Sequence, residues 1–185
     1  MSGGVDSSLA AALLAEAGYR VIGATMLLWS EEHPAAPAGA ERARAVARQI
    51  GIPWRLVDLR QDFKSQVVDY RLDEYARGRT PNPCLACNRA IKFGRLLEEA
   101  RRLGGDLLAT GHYVRADFVD GRWRLLRGID RRKDQSYMLY MLGQEQWARA
   151  RFPLGGFTTE EVRRMARERN RPSAEQSESQ EMCFI

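Results

Sequence analysis

Apolar residues recur along the chain at two different spacings. Spacings of three and four residues are typical of amphipathic or buried helices, whereas short continuous or alternating runs are typical of strands. The helical spacing is found at residues 7–17, 40–50, 63–76 and 91–103. The strand-like runs are residues 21–29, 54–59 and 106–110. Gly18, Gly51 and the pair Gly104-Gly105 follow helical stretches, as expected for helix ends.

This alternation of strands and helices predicts an α/β fold with a Rossmann-like parallel sheet and helices on both faces. We expect this nucleotide-binding unit to occupy residues 1–113. Ligands of such sheets bind at the carboxyl ends of the strands. Met26, near the end of one predicted strand, and Gly111-His112, at the end of another, are therefore expected to line a ligand site.

The pattern changes after His112. Residues 114–126 predict a β-hairpin that turns at Asp120-Gly121. Helical spacing returns at residues 135–141 and 158–169, and the second of these begins with the capping box Thr158-x-x-Glu161. We expect residues 114–185 to form a separate extension of hairpin and helices.

Composition is compatible with an anionic partner and favours a reducing compartment. The 185 residues carry a formal net charge of +5 and a pI near 9.4, most of the positive charge being arginine. The charge alone fits a solvated surface equally well. No stretch near the start has the pattern of a secretion signal, and the apolar run 21–29 is too short to cross a membrane. Three cysteines do not make a disulfide framework, so chemistry or metal binding in the cytoplasm is the better interpretation.

The segment Ser2-Gly3-Gly4-Val5-Asp6-Ser7-Ser8 has the chemistry of a phosphate-binding loop. Glycines allow the backbone to approach a bulky anion, and the serine hydroxyls can donate hydrogen bonds. The apolar run behind the loop predicts a buried helix, whose first N–H groups and positive dipole end favour the same anion. The segment lacks the lysine of the G-x-x-x-x-G-K-[ST] loop and the third glycine of G-x-G-x-x-G.

Cys84 and Cys87 form a Cys-x-x-Cys pair between the proline-rich segment 78–83 and a predicted helix. We expect the pair to lie in a loop beside the start of that helix, where the dipole favours the reactive thiolate. Cys183 is a third candidate thiol, and by itself a weak one. His112 could contact a phosphate or have a purely structural role. Lys133-Asp134-Gln135 follows two arginines and suits a phosphate backbone or a base edge, or else a solvated turn.

Together these motifs resemble a known family. Residues 2–8 resemble the SGGxDS loop of the PP-loop ATP pyrophosphatases, and the whole set is similar, in the same order, to the tRNA-specific 2-thiouridylases. The further segments that carry the resemblance are residues 78–88, 91–93, 109–113, 126–128, 133–137 and 183–185.

The resemblance implies an activity: ATP-dependent 2-thiolation of the wobble uridine of tRNA. ATP, with Mg²⁺, would adenylate the C2 oxygen, and sulfur would come from a persulfide on Cys183, supplied by a cysteine desulfurase or a sulfur-relay protein. Cys87 would be the nucleophile that releases the sulfur or forms a disulfide with Cys183.

The resemblance also implies binding roles for individual residues. The ATP-binding residues would be Ser2, Gly3, Gly4, Val5, Asp6, Ser7, Ser8, Met26 and Gly111. Asn82, Pro83 and Cys84 would line the flipped-out base. Contacts with the rest of the tRNA would come from His112, Lys133, Asp134 and Gln135.

Three departures from the family pattern leave alternatives open. Cys84 stands where many relatives have an aspartate proposed as an acid/base residue, so Cys84, Cys87 and Cys183 could instead ligate a [4Fe-4S] cluster. The family has an apolar strand before the loop, and a central domain and a β-barrel after Cys183. We therefore expect a chain truncated at both ends, for which a non-catalytic fragment is an alternative. Another PP-loop enzyme would explain residues 2–8 but not the cysteine motifs.

Overall fold

Helices and parallel strands alternate in the first half of the molecule. The structure is a computed structural model, and it describes residues 1–28 and 38–169. The first four elements are α1 (Val5–Glu16), β1 (Gly23–Leu27), α2 (Ala38–Ile50) and β2 (Trp54–Asp58). All four confirm the elements predicted from apolar spacing. β1 and β2 pair in parallel, with Gly23 opposite Trp54 and Leu27 opposite Asp58.

Two longer helices follow, each built from three joined segments. The first consists of α3 (Arg60–Phe63), a π-helical segment (Lys64–Asp69) and α4 (Tyr70–Ala76). The second, here called the cysteine helix (residues 83–102), consists of α5 (Pro83–Ala86), a π-helical segment (Cys87–Arg95) and α6 (Leu96–Arg102).

The cysteine helix begins at Pro83, well before the predicted start at residue 91. Asn82 is its N-cap, because the Asn82 side chain accepts a hydrogen bond from the Cys84 N–H at 3.0 Å. Pro83 occupies the first helical position, where a missing N–H costs nothing. The prolines of residues 78–83 thus lead into the helix, and the expectation that Cys84 and Cys87 lie in a loop is wrong.

The second half contains the predicted hairpin, β4 (Val114–Val119) and β5 (Arg122–Arg127). Its two turn residues, Asp120 and Gly121, have φ of 52° and 75°, the left-handed conformation that a tight hairpin turn needs. A short parallel pair joins β3 (Leu108–Ala109) to β6 (Ala150–Arg151). The chain between and beyond these strands forms α7 (Gln144–Arg149) and α8 (Thr159–Glu168).

The helix expected at residues 135–141 is wrong; this stretch holds only a 3₁₀ turn, Ser136–Met138. Asp134 is the physical reason. Its Oδ1 accepts hydrogen bonds from the N–H groups of Gly128 (3.0 Å) and Ser136 (3.2 Å), and its Oδ2 accepts one from the Ser136 hydroxyl (2.7 Å). These bonds tie the segment back to the end of the hairpin, so it turns instead of winding into a longer helix.

The α/β class is confirmed, and within the described residues the parallel strands occur as two pairs, β1–β2 and β3–β6. The main core is shared by residues on both sides of position 113; for example, Phe63 and Trp147 belong to the same buried cluster. No helix in the described part of the chain is long and apolar enough to cross a bilayer.

A second buried cluster holds α1 against α8, with Leu9, Ala10 and Val162 in contact around Tyr113. The two helices run in the same direction. Asp6 at the start of α1 and Thr159 at the start of α8 both bond to Tyr113, while Glu16 at the end of α1 pairs with Arg169 just after α8. The N-termini of both helices therefore lie at the same end of the molecule.

Candidate nucleotide and cysteine site

The loop before α1 has a backbone that only glycine allows. Gly3 has φ of +82°, and a Cβ at this position would lie 2.6 Å from the carbonyl oxygen of Gly39 and 2.9 Å from Cβ of Arg42. The loop is thus pressed against the start of α2. Gly4 is the N-cap of α1, and among the described residues no side chain caps this helix. The first N–H groups of α1 therefore have the arrangement that binds anions in other helix N-termini.

The serines of the loop divide into two roles. Ser8 is fully buried, and its hydroxyl donates to the Gly4 carbonyl oxygen at 2.8 Å. Ser2 is exposed, and its N–H donates to Oγ of Ser7 at 3.1 Å. Ser8 thus stabilises the loop from inside, while Ser2 and Ser7, whose hydroxyl oxygens lie 3.2 Å apart, are at its outer edge, where a ligand can reach them.

Asp6, in the first turn of α1, is the charged residue of the loop. Its Oδ1 accepts a hydrogen bond from the Tyr113 hydroxyl at 2.8 Å. Burial raises the pKa of Asp6, and the Tyr113 bond and the charges of Lys133 and Arg163 oppose that rise. Burial and the neighbouring Asp6 raise the pKa of Tyr113. Two cations from distant parts of the sequence therefore face the loop.

Gly111 meets the loop directly. A Cβ at Gly111 would lie 3.0 Å from Cβ of Asp6 and 3.1 Å from N of Ser7, so this position admits little more than a hydrogen. The strand end at Gly111, which was predicted to line a ligand site, therefore lies against the loop. Met26 is half-buried in β1 and packs against the main core.

His112 is held between aromatic rings and a hydroxyl. Its Nδ1 lies 2.8 Å from Oγ1 of Thr110, and its ring centroid lies 6.3 Å from that of Phe93 and 6.4 Å from that of Phe152. Burial, and then the charge of Lys92, lower the pKa of His112 to about 3. The imidazole is therefore neutral at physiological pH and can offer a hydrogen bond to a ligand but no positive charge.

Cys84 and Cys87 lie in the first turns of the cysteine helix. They are three positions apart, so they are neighbours on one helix face. Cys84 is partly exposed, whereas Cys87 is buried in the main core, and the two are not joined to each other by a disulfide. Cys183, and with it the predicted Cys87–Cys183 pairing, lies outside the described residues.

The three residues 133–135 have different surroundings. The charge of Lys133 lowers the pKa of Asp6, so this residue, predicted to bind tRNA, lies near the loop. Asp134 holds the turn described above. Gln135 pairs with the backbone of Tyr113: its Oε1 accepts from the Tyr113 N–H at 3.0 Å, and its own N–H donates to the Tyr113 carbonyl at 3.2 Å. The hydrogen bonds of Asp134 and Gln135 thus position Tyr113 and the segment that carries Lys133.

Sequence reasoning assigned no role to Tyr113 or Arg163. Tyr113 was part of a motif, and its spacing gave no sign of a bond to Asp6, 107 positions away. Arg163 lies among charged residues of the helix predicted at residues 158–169, and helical spacing alone does not distinguish it from its neighbours. The available signal was its position four residues after Thr159, on the same face as the start of α8.

Comparison with known proteins gives a consistent result. The family model described as "tRNA methyl transferase HUP domain" matches residues 1–185. The chain is 50% identical to the tRNA-specific 2-thiouridylase MnmA of Chloroflexus aurantiacus, a match that covers 100% of this chain and 54% of that protein. It is 52% identical to the MnmA of Geobacter metallireducens (100% and 54%) and 51% identical to that of Moorella thermoacetica (100% and 55%).

The chain spans about half the length of the curated relatives it matches. The family match covers residues 1–185 and so includes the loop, Gly111 and the cysteine helix. The chain therefore belongs to the tRNA methyl transferase HUP domain family and groups within it with the tRNA-specific 2-thiouridylases.

Proposed function

We propose that this chain takes part in the ATP-dependent 2-thiolation of the wobble uridine of tRNA, in the cytoplasm. The observation that carries the proposal is the loop before α1. It presents a helix N-terminus with a glycine cap, two serines at its edge and a glycine strand end, Gly111, pressed against it. The relatives supply the substrate class, since they are tRNA-specific 2-thiouridylases.

The first step in this proposal is adenylation. ATP, bound with Mg²⁺, places its phosphates on the N–H groups of α1 and on the hydroxyls of Ser2 and Ser7. The C2 oxygen of the uridine attacks the α-phosphorus, and pyrophosphate leaves. The oxygen is thereby converted from a poor leaving group into AMP. Gly111 lets its strand end pack against the first turn of α1 and is proposed to adjoin the nucleotide there, and Met26 is proposed to line the adenosine.

The second step is sulfur transfer. Cys183 carries a persulfide received from a cysteine desulfurase or sulfur-relay protein. The Cys87 thiolate attacks the inner sulfur of Cys183, forms the Cys87–Cys183 disulfide and releases hydrosulfide. Hydrosulfide attacks C2 of the adenylated uridine and displaces AMP. An external thiol then reduces the disulfide. Cys87 lies one turn after Pro83, the first residue of the cysteine helix, and the positive end of a helix dipole favours the thiolate over the thiol.

The uridine must leave the anticodon stack for this chemistry. We propose that it enters beside Asn82, Pro83 and Cys84, where the start of the cysteine helix brings a partly exposed thiol next to the buried one. His112 would approach the RNA as a neutral hydrogen-bonding group, because its pKa lies near 3. Asp134 and Gln135 would act by holding the Tyr113 region in place.

The experiment measures two products with the native protein and tRNA that carries a wobble uridine. Pyrophosphate release reports adenylation, and 2-thiouridine reports sulfur transfer. We expect Cys87→Ser and Cys183→Ser each to abolish 2-thiouridine while pyrophosphate release continues. A tRNA with cytidine at the wobble position is the control and should support neither.

Absence of tRNA-dependent pyrophosphate release would contradict the enzyme proposal. Loss of pyrophosphate release in both cysteine variants would contradict the division of roles. The cluster alternative is tested in the same samples: a [4Fe-4S] protein purified without oxygen absorbs visible light and loses that absorbance when Cys84 is replaced.

A further inference from the structure

The first turns of α1 and α8 are linked through Tyr113. The Tyr113 hydroxyl donates to Asp6 on α1 and is in hydrogen-bond contact with Thr159 on α8. Thr159 is fixed in turn by Asp130, whose Oδ2 accepts from its N–H at 2.9 Å and from its hydroxyl at 2.8 Å. Because these contacts are short and successive, the start of α8 has a defined position relative to the loop.

Arg163 lies one helical turn after Thr159 and on the same face of α8. Helical side chains lean toward the N-terminus of their helix, so the long Arg163 side chain extends back toward Thr159 and the loop. Ala166, three positions further on, clusters with Val5 in the first turn of α1. The half-buried guanidinium thus belongs to the face of α8 that packs at the loop, and its charge acts on Asp6.

Arg164, the next residue, differs in each of these respects. It is exposed, with 66% of its side chain accessible, and lies 3.8 Å from Glu168 on the same helix. The two arginines have the same chemistry and adjacent positions, but only Arg163 faces the loop. They form a matched pair for an experiment.

We propose that Arg163 is a phosphate-binding residue of this site, which holds the β- and γ-phosphates of ATP and stabilises pyrophosphate as it departs. The inference rests on the proposed use of ATP. A guanidinium donates two parallel N–H groups to phosphate oxygens and also neutralises part of their charge. The backbone N–H groups of the loop donate hydrogen bonds but carry no net charge. Pyrophosphate gains negative charge as the bond to the α-phosphorus breaks, so a fixed cation stabilises the transition state.

The loop itself has no lysine, unlike the G-x-x-x-x-G-K-[ST] loop. Arg163, with Lys133 nearby, supplies from α8 and the segment after the hairpin the charge that the loop sequence lacks. This explains physically why α8 is tied to the loop through Tyr113, although it lies some 150 positions away in sequence.

The test compares Arg163→Gln with Arg164→Gln in the native protein. Isothermal titration measures the affinities for ATP, for inorganic pyrophosphate, for AMP and for tRNA alone. We expect Arg163→Gln to weaken ATP and pyrophosphate binding by about tenfold or more, the loss of one charge-assisted pair. AMP and tRNA affinities should stay within about twofold, and Arg164→Gln should change none of the four. Arg163→Lys, which keeps the charge but not the paired donors, should give an intermediate loss.

The other outcomes each have a definite meaning. Unchanged pyrophosphate affinity in Arg163→Gln overturns the inference, as does a loss confined to tRNA, which would assign Arg163 to the RNA backbone. Thermal unfolding of each variant separates loss of binding from loss of fold, and a destabilised Arg163→Gln leaves Arg163→Lys to decide. A wild-type protein that binds neither ATP nor pyrophosphate contradicts the proposed function itself.

Discussion

α1 and α8 lie side by side and start at the same end of the molecule, yet they differ in how their first N–H groups are capped. At α8, Thr158 Oγ1 accepts from the Glu161 N–H at 3.2 Å, and Glu161 accepts from the Thr158 N–H at 2.7 Å. Asp130 accepts from the next N–H, that of Thr159. At α1 the cap is Gly4, and within the described residues no side chain caps the first N–H groups.

The difference separates a helix start that serves stability from one that serves binding. α8 is exposed along much of its length, so its own side chains satisfy its first N–H groups. α1 is held by burial, with Leu9, Ala10 and Ala12 almost inaccessible, and can leave its first turn to a ligand. The carboxylates nearby follow the same division: hydrogen bonds lower the pKa of Asp130, whereas burial raises that of Asp6.

Gly3→Ala should break the binding terminus most severely. The new Cβ would be attached to a residue in the left-handed conformation and would approach the Gly39 carbonyl oxygen to 2.6 Å. We expect a loss of more than about 2 kcal/mol in the free energy of unfolding, and loss of ATP binding. Gly156→Ala is the control, because a Cβ at that position would have no neighbouring atom within 4 Å. Equal denaturation midpoints for the two variants would show that the loop is not constrained as described.

Gly4→Asp should convert α1 into a capped helix like α8. Gly4 has φ of −82° and only Ser2 Oγ near its Cβ, at 3.5 Å, so an aspartate fits without strain. Its carboxylate would bond to the first N–H groups and repel phosphate, and we expect ATP affinity to fall by at least about tenfold. Gly4→Ala leaves the N–H groups accessible and should bind ATP almost normally. If Gly4→Asp binds as well as wild type, the first turn of α1 does not hold the phosphates.

Local patterns in the sequence were sufficient to predict the start of α8 and the turn of the hairpin. Thr158-x-x-Glu161 is a capping box in the sequence and forms one in the structure. The hairpin turn at Asp120-Gly121 was predicted with equal success, because left-handed φ values at both positions require such residues. In each case the information lies within four consecutive residues.

The remaining features depend on contacts between distant segments. Asp134 prevents a helix at residues 135–141 because it accepts a hydrogen bond from Gly128, the residue after the hairpin. The spacing of apolar residues does not reveal this contact. The cysteine helix begins earlier than predicted because Asn82 caps it and Pro83 is favourable at its first position, although prolines usually interrupt a helix. The link from Asp6 through Tyr113 to α8 likewise exists only after folding.

Thr158→Ala should weaken the structural terminus alone. It removes the hydroxyl that accepts from the Glu161 N–H, and we expect a loss of about 1 kcal/mol in the free energy of unfolding. ATP affinity should change by less than about threefold, because the first turn of α1 is untouched. Chemical denaturation and titration with ATP, run on the same preparations, measure both quantities. A tenfold loss of ATP affinity without loss of stability would show that the start of α8 contributes to ATP binding.

The smallest effect concerns the two carboxylates and appears as pH dependence. The folded pKa of Asp130 lies below its unfolded value of 3.8, so its contribution to stability is complete above that value and is lost as pH falls through the folded pKa. Asp130→Asn should therefore destabilise the protein at pH 7 by up to about 1 kcal/mol, with the difference shrinking in acid. Asp6 has the opposite sign, because its raised pKa means that ionisation opposes folding. Asp6→Asn, which still accepts from Tyr113, should leave stability at pH 7 equal or higher. Parallel losses in both variants across denaturation curves at pH 4 and pH 7 would remove the electrostatic distinction between the two helix starts.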